Sequence, residues 1–408
     1  KILNSQAIEK NKLIGADSKL QLLNLSLSND TVSFPSIRSV IKTSGGTAAY
    51  YKSEINNLQP GQLYAYRVGN EERWSDWYKF KTRCPGDSAF SFIYIGDIQD
   101  SINGTSGKLF HKAYERESDV AFMIFIGDMV ERPHDEYWNE WFRSGGELFK
   151  TIPILATPGN HEYYKGLSQK IDPRWMAHFA FPQNGPEIFK GRVCYWDYGD
   201  TRFISLDTNG INLHTGFIQR NWLKKVLQQT TKRWKVVIMH HPVYTISRTH
   251  DNFLVRWFFK PLFDKYKVDL VLQGHEHGYG RSAHIPNSEF PSKQGPVYII
   301  THDSPKLYDL NFSQNMDQLA SNTRMYQLIS VSYDSLSYKA YTDDDTLYDD
   351  FTLLKNNNGE NKIADRIPRD VKERLLPTKD FINRHSRELV KYNHEMMEWE
   401  KLKKRLLP

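Results

Sequence analysis

The chain of 408 residues is too long for one ordinary domain, so two or three domains are expected. Hydrophobic residues make up 39% of it and charged residues 25%, which is ordinary globular composition. The net charge of +6 is compatible with an anionic substrate. A nucleic-acid binder would more often show a dense basic stripe, and none occurs before the last few residues. No apolar run approaches the length of a membrane span.

Residues 1–86 are predicted to form a β-sandwich. The segment 58–68 carries a Pro-Gly turn followed by a strand whose apolar side chains alternate onto one face. Leu58, Pro60 and Tyr64 resemble the tyrosine corner of fibronectin type III sandwiches, in which a Tyr hydroxyl ties a loop to a strand. Fewer than seven strands can be recognised, so this fibronectin type III-like domain is expected to begin before the chain does.

The region 87–354 changes to continuous apolar runs separated by helical stretches. Such runs suit strands that are buried on both faces with helices packed against them, which predicts an α/β domain of βαβαβ units. The predicted strands are 90–95, 121–126, 152–156, 203–206, 236–239 and 268–272.

The remaining residues, 355–408, are predicted to be a helical extension that follows a loop at 356–359. Its apolar side chains fall close to a three-four spacing, which favours a helix packed on the body of the protein over a coiled-coil partner site. The stripe consists of Ile382, His385, Leu389, Tyr392, Met396, Trp399 and Leu406.

Five of the predicted strands end in polar clusters. In an open α/β sheet the binding crevice lies at the carboxyl ends of the strands, so these clusters should meet in space. They contain Asp, Asn and His but no Cys, a ligand set suited to Mn, Fe, Zn or Mg. The clusters are Gly96-Asp97, Gly127-Asp128, Gly159-Asn160-His161-Glu162, His240-His241 and Gly274-His275-Glu276-His277.

A carboxylate at such an edge can bridge two ions, which is the usual two-metal arrangement. Such a pair lowers the pKa of a bound water, so that hydroxide exists near neutral pH, and neutralises charge on phosphoryl oxygens. Each cluster alone is weak, since a lone Gly-Asp is usually a turn and a lone His is usually structural. Five such clusters along the chain, each directly after a predicted strand, favour the two-metal interpretation. No nucleophile elbow and no phosphate-binding GxxxxGK[ST] loop is present.

The same clusters match, in order, the five blocks of the calcineurin-like metallophosphoesterases. With the β-domain in front, the chain resembles the bacterial relatives of purple acid phosphatases. The resemblance implies that the catalytic domain is a β-sandwich flanked by helices, within a mixed α+β and α/β chain. It also implies two divalent or trivalent metal ions, for which Fe, Mn and Zn are the preferred candidates and Mg is a further one. An extracellular or periplasmic location is expected from the resemblance and from the first residue, which is Lys1 rather than Met. No signal-peptide pattern is present, so either a leader has been removed or the sequence starts late.

The resemblance assigns Asp128 as the carboxylate that bridges the two ions. The other ligands divide between a first ion, with Asp97 and His277, and a second ion, with Asn160, His240 and His275. His161 would stand beside the substrate phosphate, as a proton donor to the leaving group or a hydrogen-bond donor to the oxyanion.

Two positions depart from the family pattern around the first ion. Purple acid phosphatases carry a Tyr ligand three residues after the bridging Asp, and this chain has Glu131 there. Many other members carry a His two residues after the first Asp, and this chain has Gln99. The first ion is therefore expected to have fewer protein ligands, a Gln carbonyl or extra water.

Residues near the blocks are candidates to contact the substrate. Arg is well shaped for phosphate, and Tyr or His can donate to an oxygen. His241 and Arg281 lead, because each adjoins a block, and the others are Arg132, His134, Tyr163, Tyr244 and His250. For each, a surface or packing role is the alternative.

The predicted function is hydrolysis of phosphate esters, with metal-bound hydroxide as the nucleophile. Three alternatives stay open: a metal-binding pseudo-enzyme or interaction module, a phosphodiesterase, or a nuclease of the same superfamily. The six matched ligands favour the enzyme, and the departures at Gln99 and Glu131 favour the pseudo-enzyme. The absence of a basic tract near the blocks weakens the nuclease. Cys84 and Cys194 fit one disulfide or two buried thiols equally well.

Overall fold

A computed structural model describes residues 2–5, 18–27, 30–43, 45–84, 86, 89–166, 169–248, 251–282, 295–367 and 371–406. In this part of the chain, no helix is long and apolar enough to cross a membrane. Cys84 and Cys194 are both free thiols. Burial raises the pKa of the Cys194 thiol to about 12, so it is an unreactive core residue.

The N-terminal domain is a sandwich of a three-stranded sheet, in the order β1-β5-β4, and a four-stranded sheet, in the order β3-β2-β6-β7. The Tyr64 hydroxyl accepts a hydrogen bond from the Gln59 amide at 2.8 Å, which is the loop-to-strand tie that the sequence predicts. These sheets hold more strands than the sequence alone revealed. The strands are β1 Ile2–Ser5, β2 Lys19–Asn24, β3 Thr31–Pro35, β4 Ile37–Thr43, β5 Gly46–Glu54, β6 Leu63–Gly69 and β7 Tyr78–Lys81.

The second domain is built on two seven-stranded sheets. The first sheet has the order β10-β9-β8-β20-β21-β22-β23, and its β8, β9 and β10 run parallel. Its strands are β8 Phe90–Ile95, β9 Val120–Phe125, β10 Ile154–Ala156, β20 Met325–Val331, β21 Ser335–Thr342, β22 Leu347–Lys355 and β23 Asn361–Asp365.

The second sheet has the order β13-β14-β15-β16-β18-β17-β19, and its β14, β15, β16 and β18 run parallel. Its strands are β13 Cys194–Tyr198, β14 Thr201–Leu206, β15 Trp234–Met239, β16 Leu270–Gln273, β17 Tyr279–Ser282, β18 Val297–Ile300 and β19 Gln318–Ala320. A separate short hairpin pairs β11 Tyr163–Tyr164 with β12 Lys170–Ile171.

Helices cover the outer faces of both sheets, which explains why the strands are apolar on both sides. In β8, Phe92 and Tyr94 pack between the sheets, while Ile93 and Ile95 pack under helices. Helices α1 to α4 lie on the first sheet's side and α5 and α6 on the second's. They are α1 Gly107–Arg116, α2 Asp135–Gly145, α3 Leu148–Thr151, α4 Pro173–His178, α5 Leu213–Gln229 and α6 Phe253–Lys265.

The C-terminal region contains two helices, α7 Lys379–Arg384 and α8 Leu389–Leu406. Tyr392 and Trp399 of α8 are buried against a cluster of the catalytic domain that includes Phe312. The apolar stripe therefore packs on the body of the protein, although Ile382 of the predicted stripe is exposed.

The predicted boundary at 354 is too early. Strand β23 pairs antiparallel with β22, so the sheet continues to Asp365, and the segment 356–359 is the turn between these two strands. The Asn-rich, Gly-containing turn reads as a linker in the sequence because the strand beyond it, 361–365, is short and mostly polar.

Candidate metal centre

The carboxyl ends of β8, β9 and β15 bring together Asp97, Asp128 and His240. Their ligand atoms all lie within 4.8 Å of one another, and all three side chains are buried. Asp128 Oδ2 lies 3.3 Å from His240 Nε2. Burial opposes the charged form of both carboxyls, and it raises the pKa of Asp97 well above its ordinary value. Such a cluster of buried acids fits bound cations.

Asn160 and His275 complete a second set of ligand atoms around His240. His240 Nε2 lies 3.2 Å from Asn160 Oδ1 and 3.2 Å from His275 Nδ1. The other ring nitrogen of His240 contacts the Ile126 carbonyl at 2.7 Å. Because a carbonyl only accepts, that nitrogen carries a hydrogen and Nε2 faces the cluster, as a metal-binding histidine requires.

His277 lies on the other side of Asp97, with its Nε2 3.8 Å from Asp97 Oδ1. Its ring is held between two parallel rings: Tyr308 at a centroid distance of 4.5 Å and His302 at 5.4 Å. Its Nδ1 contacts the Lys306 carbonyl at 2.7 Å. These contacts fix the plane of the imidazole, and neither Tyr308 nor His302 lies in a motif that the sequence made conspicuous.

The backbone at this edge has an unusual conformation. Asp97, Asp128 and His275 have φ of 43°, 51° and 70°, in the left-handed region that side chains other than Gly rarely adopt. A Cβ on Gly274 would lie 2.2 Å from Asp97 Oδ2, and one on Gly159 would lie 2.2 Å from Asp128 Oδ1. The glycines of these blocks are therefore required by close approach to the ligands, and the strain lies at the candidate site.

Two buried glutamates, to which the sequence assigned no role, hold these turns. Glu162 accepts from the backbone amides of Gly159 at 2.7 Å, Asp128 at 2.9 Å and Met129 at 2.7 Å. Glu276 accepts from two amides of the loop after His241, including Ser247 at 2.8 Å. The sequence offered one sign of this role: each glutamate lies inside a His-containing block but is not assigned as a metal ligand.

His161 follows the ligand Asn160 on a short 3₁₀ turn, Asn160–Glu162. Its Nδ1 contacts the Glu131 carbonyl at 2.5 Å, which leaves Nε2 facing the cluster, 3.8 Å from Asp128 Oδ2. The side chain is 17% exposed, so a substrate can reach it. This position suits the proton donor that the sequence predicts.

His241 also lies in the cluster. Its ring centroid is 4.3 Å from that of His275, and a nitrogen of each of His240, His241 and His275 lies within 4.8 Å of the others. Thr208, at the end of β14, contacts His241 Nδ1 at 2.9 Å. The geometry allows His241 to contact a substrate oxygen or a cation.

Arg281, the other leading candidate for a substrate contact, is buried in ion pairs instead. Its assignment as a substrate contact is therefore corrected. It lies on β17 with 1% of its side chain exposed, and it pairs with Asp349 at 2.8 Å and Asp365 at 2.8 Å. The strand that follows the His275 block turns this side chain into the protein interior, where both carboxylates belong to the first sheet.

Replacing Arg281 tests this correction. We expect Arg281→Met to destabilise the fold by about 3 kcal/mol, because the buried Asp349 would lose its cationic partner and keep only the Tyr279 hydroxyl. Arg256→Met, at the partly exposed pair with Asp251, should cost less than about 1 kcal/mol. Chemical denaturation measures both changes. Unchanged stability with a raised KM for phosphate esters would instead restore the substrate contact.

The remaining substrate candidates have other partners or lie outside the described residues. Tyr163 is buried and bonds through its hydroxyl to Arg192 at 2.7 Å. His134 accepts from a backbone amide at the start of α2. Tyr244 is half-buried, and burial raises its pKa to about 12. Arg132 stacks over the Tyr137 ring, and His250 falls outside the residues that the structure describes.

The Glu131 side chain turns towards another acid. Its pKa is raised, first by burial and then by a hydrogen bond with Asp100. Gln99, at the other departure, is buried with its amide nitrogen 3.0 Å from His277 Nε2 and 3.3 Å from Asp128 Oδ2. Of the two departures, Gln99 is therefore the one that contacts candidate ligands of the first ion.

The donor set fits the metal ions that the sequence predicts. Asp97 Oδ1 is buried and has no hydrogen-bond partner among the described residues, so a cation would satisfy it. The first ion would be held by Asp97, His277 and Asp128. The second would be held by Asp128, Asn160, His240 and His275. Carboxylate, amide and imidazole ligands suit Mn, Fe, Zn or Mg.

Comparison with known proteins agrees with the fold. Residues 90–279 match the family model of the calcineurin-like phosphoesterases, and residues 16–82 match that of the purple acid phosphatase N-terminal domain. The chain therefore contains a calcineurin-like phosphoesterase domain, preceded by a purple acid phosphatase N-terminal domain. Its domain order is that of the purple acid phosphatases.

Named relatives are phosphatases. Purple acid phosphatase 15 of Arabidopsis thaliana is 26% identical over 282 residues, covering 61% of this chain and 52% of the relative. Purple acid phosphatase 23 of the same plant is 24% identical over 315 residues, covering 68% of each. The chain thus spans about half to two thirds of the length of these relatives. A purple acid phosphatase structure from yellow lupin (Lupinus luteus) seeds has a TM-score of 0.68 at 17% identity, covering 86% of this chain and 71% of that one.

Proposed function

We propose that this chain hydrolyses phosphate esters at a centre of two metal ions. The observation that carries the proposal is the convergence of Asp97, Asp128 and His240, whose ligand atoms lie within 4.8 Å of one another at the ends of separate strands. Bound there, the cations would supply positive charge that makes a water nucleophilic and neutralises the phosphoryl oxygens. Fe, Mn and Zn suit the ligand set best, with Mg as the further candidate.

The protein's own groups would position and protonate the ester. Asp128 would supply the negative charge between the two sets of ligands, and its Oδ1 accepts a hydrogen bond from the His161 backbone amide at 2.8 Å. His161 Nε2 faces the cluster and would give a proton to the leaving oxygen. His241, held by Thr208, would donate to a phosphoryl oxygen. An extracellular or periplasmic location accompanies this proposal and rests on the family resemblance.

Metal removal tests the proposal. Protein stripped by a chelator should lose turnover of aryl and alkyl phosphates and regain it when Mn²⁺, Zn²⁺ or Fe²⁺ is restored. A set of monoesters, diesters and single-stranded DNA identifies the ester class. Restored metal without turnover of any ester would favour the metal-binding pseudo-enzyme. Turnover of diesters or DNA alone would favour the diesterase or nuclease.

A further inference from the structure

The first turns of helices α5 and α6 carry large apolar side chains on their outer faces. Leu213 and Phe217 stand four residues apart on α5, and 59% and 45% of their surface is exposed. Phe253 and Trp257 have the same spacing on α6, with 57% and 45% exposed. Residues four apart lie on one face of a helix, so each helix presents one apolar pair to solvent.

A ring contact joins the two pairs into one surface. The Phe217 ring packs edge-on against Trp257 at a centroid distance of 5.8 Å and against the buried Phe258 at 5.2 Å. We call Leu213, Phe217, Phe253 and Trp257 together the α5–α6 surface. Single exposed apolar residues are common, but a contiguous group of large ones marks an interaction site.

The α5–α6 surface lies at the edge of the second sheet that carries the candidate metal centre. On α5, Gln219 bonds to both the backbone amide and the carbonyl of Asp207, which follows β14, at 3.1 and 2.6 Å. Before α6, Asn252 donates to the carbonyl of Pro242, the residue after His241, at 3.0 Å. A partner on the α5–α6 surface is therefore held close to the carboxyl ends of β14 and β15.

The two helices carry an excess of positive charge. Helix α5 contains no acidic residue, and the single one in α6, Asp264, is buried and paired with Lys260. Arg220 and Lys224 stand three and seven residues beyond Phe217, so they continue its face of α5. The basic residues of the two helices are Arg220, Lys224, Lys225, Arg256, Lys260 and Lys265.

We propose that the α5–α6 surface binds an anionic lipid membrane. The apolar side chains would enter the headgroup region, and Lys224 and Lys225, both exposed, would lie against the negative lipid surface. Trp, Phe and Leu bordered by Lys and Arg are typical of helices at membrane interfaces, whereas the core of a protein–protein interface is depleted in Lys. The charge of Asp251, before α6, is offset by its pair with Arg256. This interaction goes beyond the proposed function and requires neither bound metal nor turnover.

Sedimentation with vesicles measures the binding. The full chain should bind vesicles of phosphatidylcholine and phosphatidylserine at least about 10-fold more tightly than vesicles of phosphatidylcholine alone. Added salt should weaken the binding, since it screens the basic residues. Phe217→Ser combined with Trp257→Ser should lower the affinity by about 10-fold or more. Val390→Ser, at an exposed apolar position of α8, is the matched control and should bind as the wild-type chain does.

A charge reversal tests the same surface while leaving its ring contacts in place. Lys224→Glu combined with Lys225→Glu should lower the affinity for the anionic vesicles by about 10-fold or more. Lys391→Glu combined with Lys401→Glu, at exposed positions of α8, changes the net charge equally and should bind nearly as tightly as the wild-type chain.

Equal affinity for both kinds of vesicle, or unchanged affinity in either paired variant of α5 and α6, would overturn the proposal. A wild-type dimer that the aromatic change dissociates, or binding of single-stranded DNA, would also overturn it if vesicles are not bound. Vesicle binding by chelator-stripped protein that turns over no ester when metal is restored would support this inference and remove only the proposed function. Turnover without vesicle binding would leave that function intact and remove this inference.

Discussion

Asp128→Asn should lower metal content and phosphatase activity together, with activity falling by about 10³-fold or more. Asp128 follows β9 and is 2% exposed, and its Oδ2 lies beside His240 and Gln99 while its Oδ1 accepts the His161 amide. It is therefore the carboxylate that faces both sets of ligands. A neutral amide of the same shape binds cations poorly, so both ions lose their shared ligand.

Asp119→Asn provides the control for this change, because Asp119 is exposed and lies just before the same strand. It should keep its metal and its activity. Metal content by elemental analysis and kcat on an aryl phosphate test the pair. Asp128→Asn protein that kept both metals and near wild-type kcat would show that the bridging assignment is wrong.

His161→Ala should keep its metal and lose about 10²–10⁴-fold in kcat on an alkyl phosphate. The ring is anchored through the Glu131 carbonyl, and its free nitrogen faces the cluster 3.8 Å from Asp128 Oδ2. It is thus positioned to protonate a leaving group without holding an ion. An activated aryl phosphate needs no such proton, so its turnover should fall much less.

The ratio of the two losses distinguishes the roles of His161. Equal losses on alkyl and aryl esters would indicate phosphate binding or oxyanion stabilisation instead of proton donation. Loss of metal would make His161 a ligand, and unchanged activity would make it structural. His214→Ala, at an exposed position on α5, should change neither metal content nor rate.

The sequence could predict the site because its chemistry is local to strand ends. Continuous apolar runs identified β8, β9, β10, β15 and β16, and each was followed by a ligand block. Strands β8 and β9 are parallel neighbours in the first sheet and end at a common edge, which brings Asp97 and Asp128 together. His240 follows β15 of the second sheet, and it meets them because the two sheets pack against each other. The glycines beside them also indicated the site, because the backbone approaches the candidate ligands too closely there to leave room for a Cβ.

Other predictions failed or stayed incomplete because they depended on where a side chain points. Arg281 adjoins the His275 block, yet its strand turns it into a buried pair with Asp349. The segment 361–365 looked like part of a polar extension, but pairing with β22 makes it an edge strand. Neither outcome could be read from spacing. Asp349 lies 68 residues from Arg281, and the strand 361–365, although adjacent in the sequence to its partner β22, is short and mostly polar.

By itself, then, the amino-acid sequence determined the class of fold and which candidate ligands follow the strands, because backbone periodicity and strand ends are local properties. Only the tertiary structure decided what surrounds each ligand. The rings of Tyr308 and His302 on His277, and the Gln99 amide on the same histidine, come from distant segments that packing brings together. Long-range packing of side chains therefore sets the environment of each candidate ligand, while the local sequence sets which residue types stand at the strand ends.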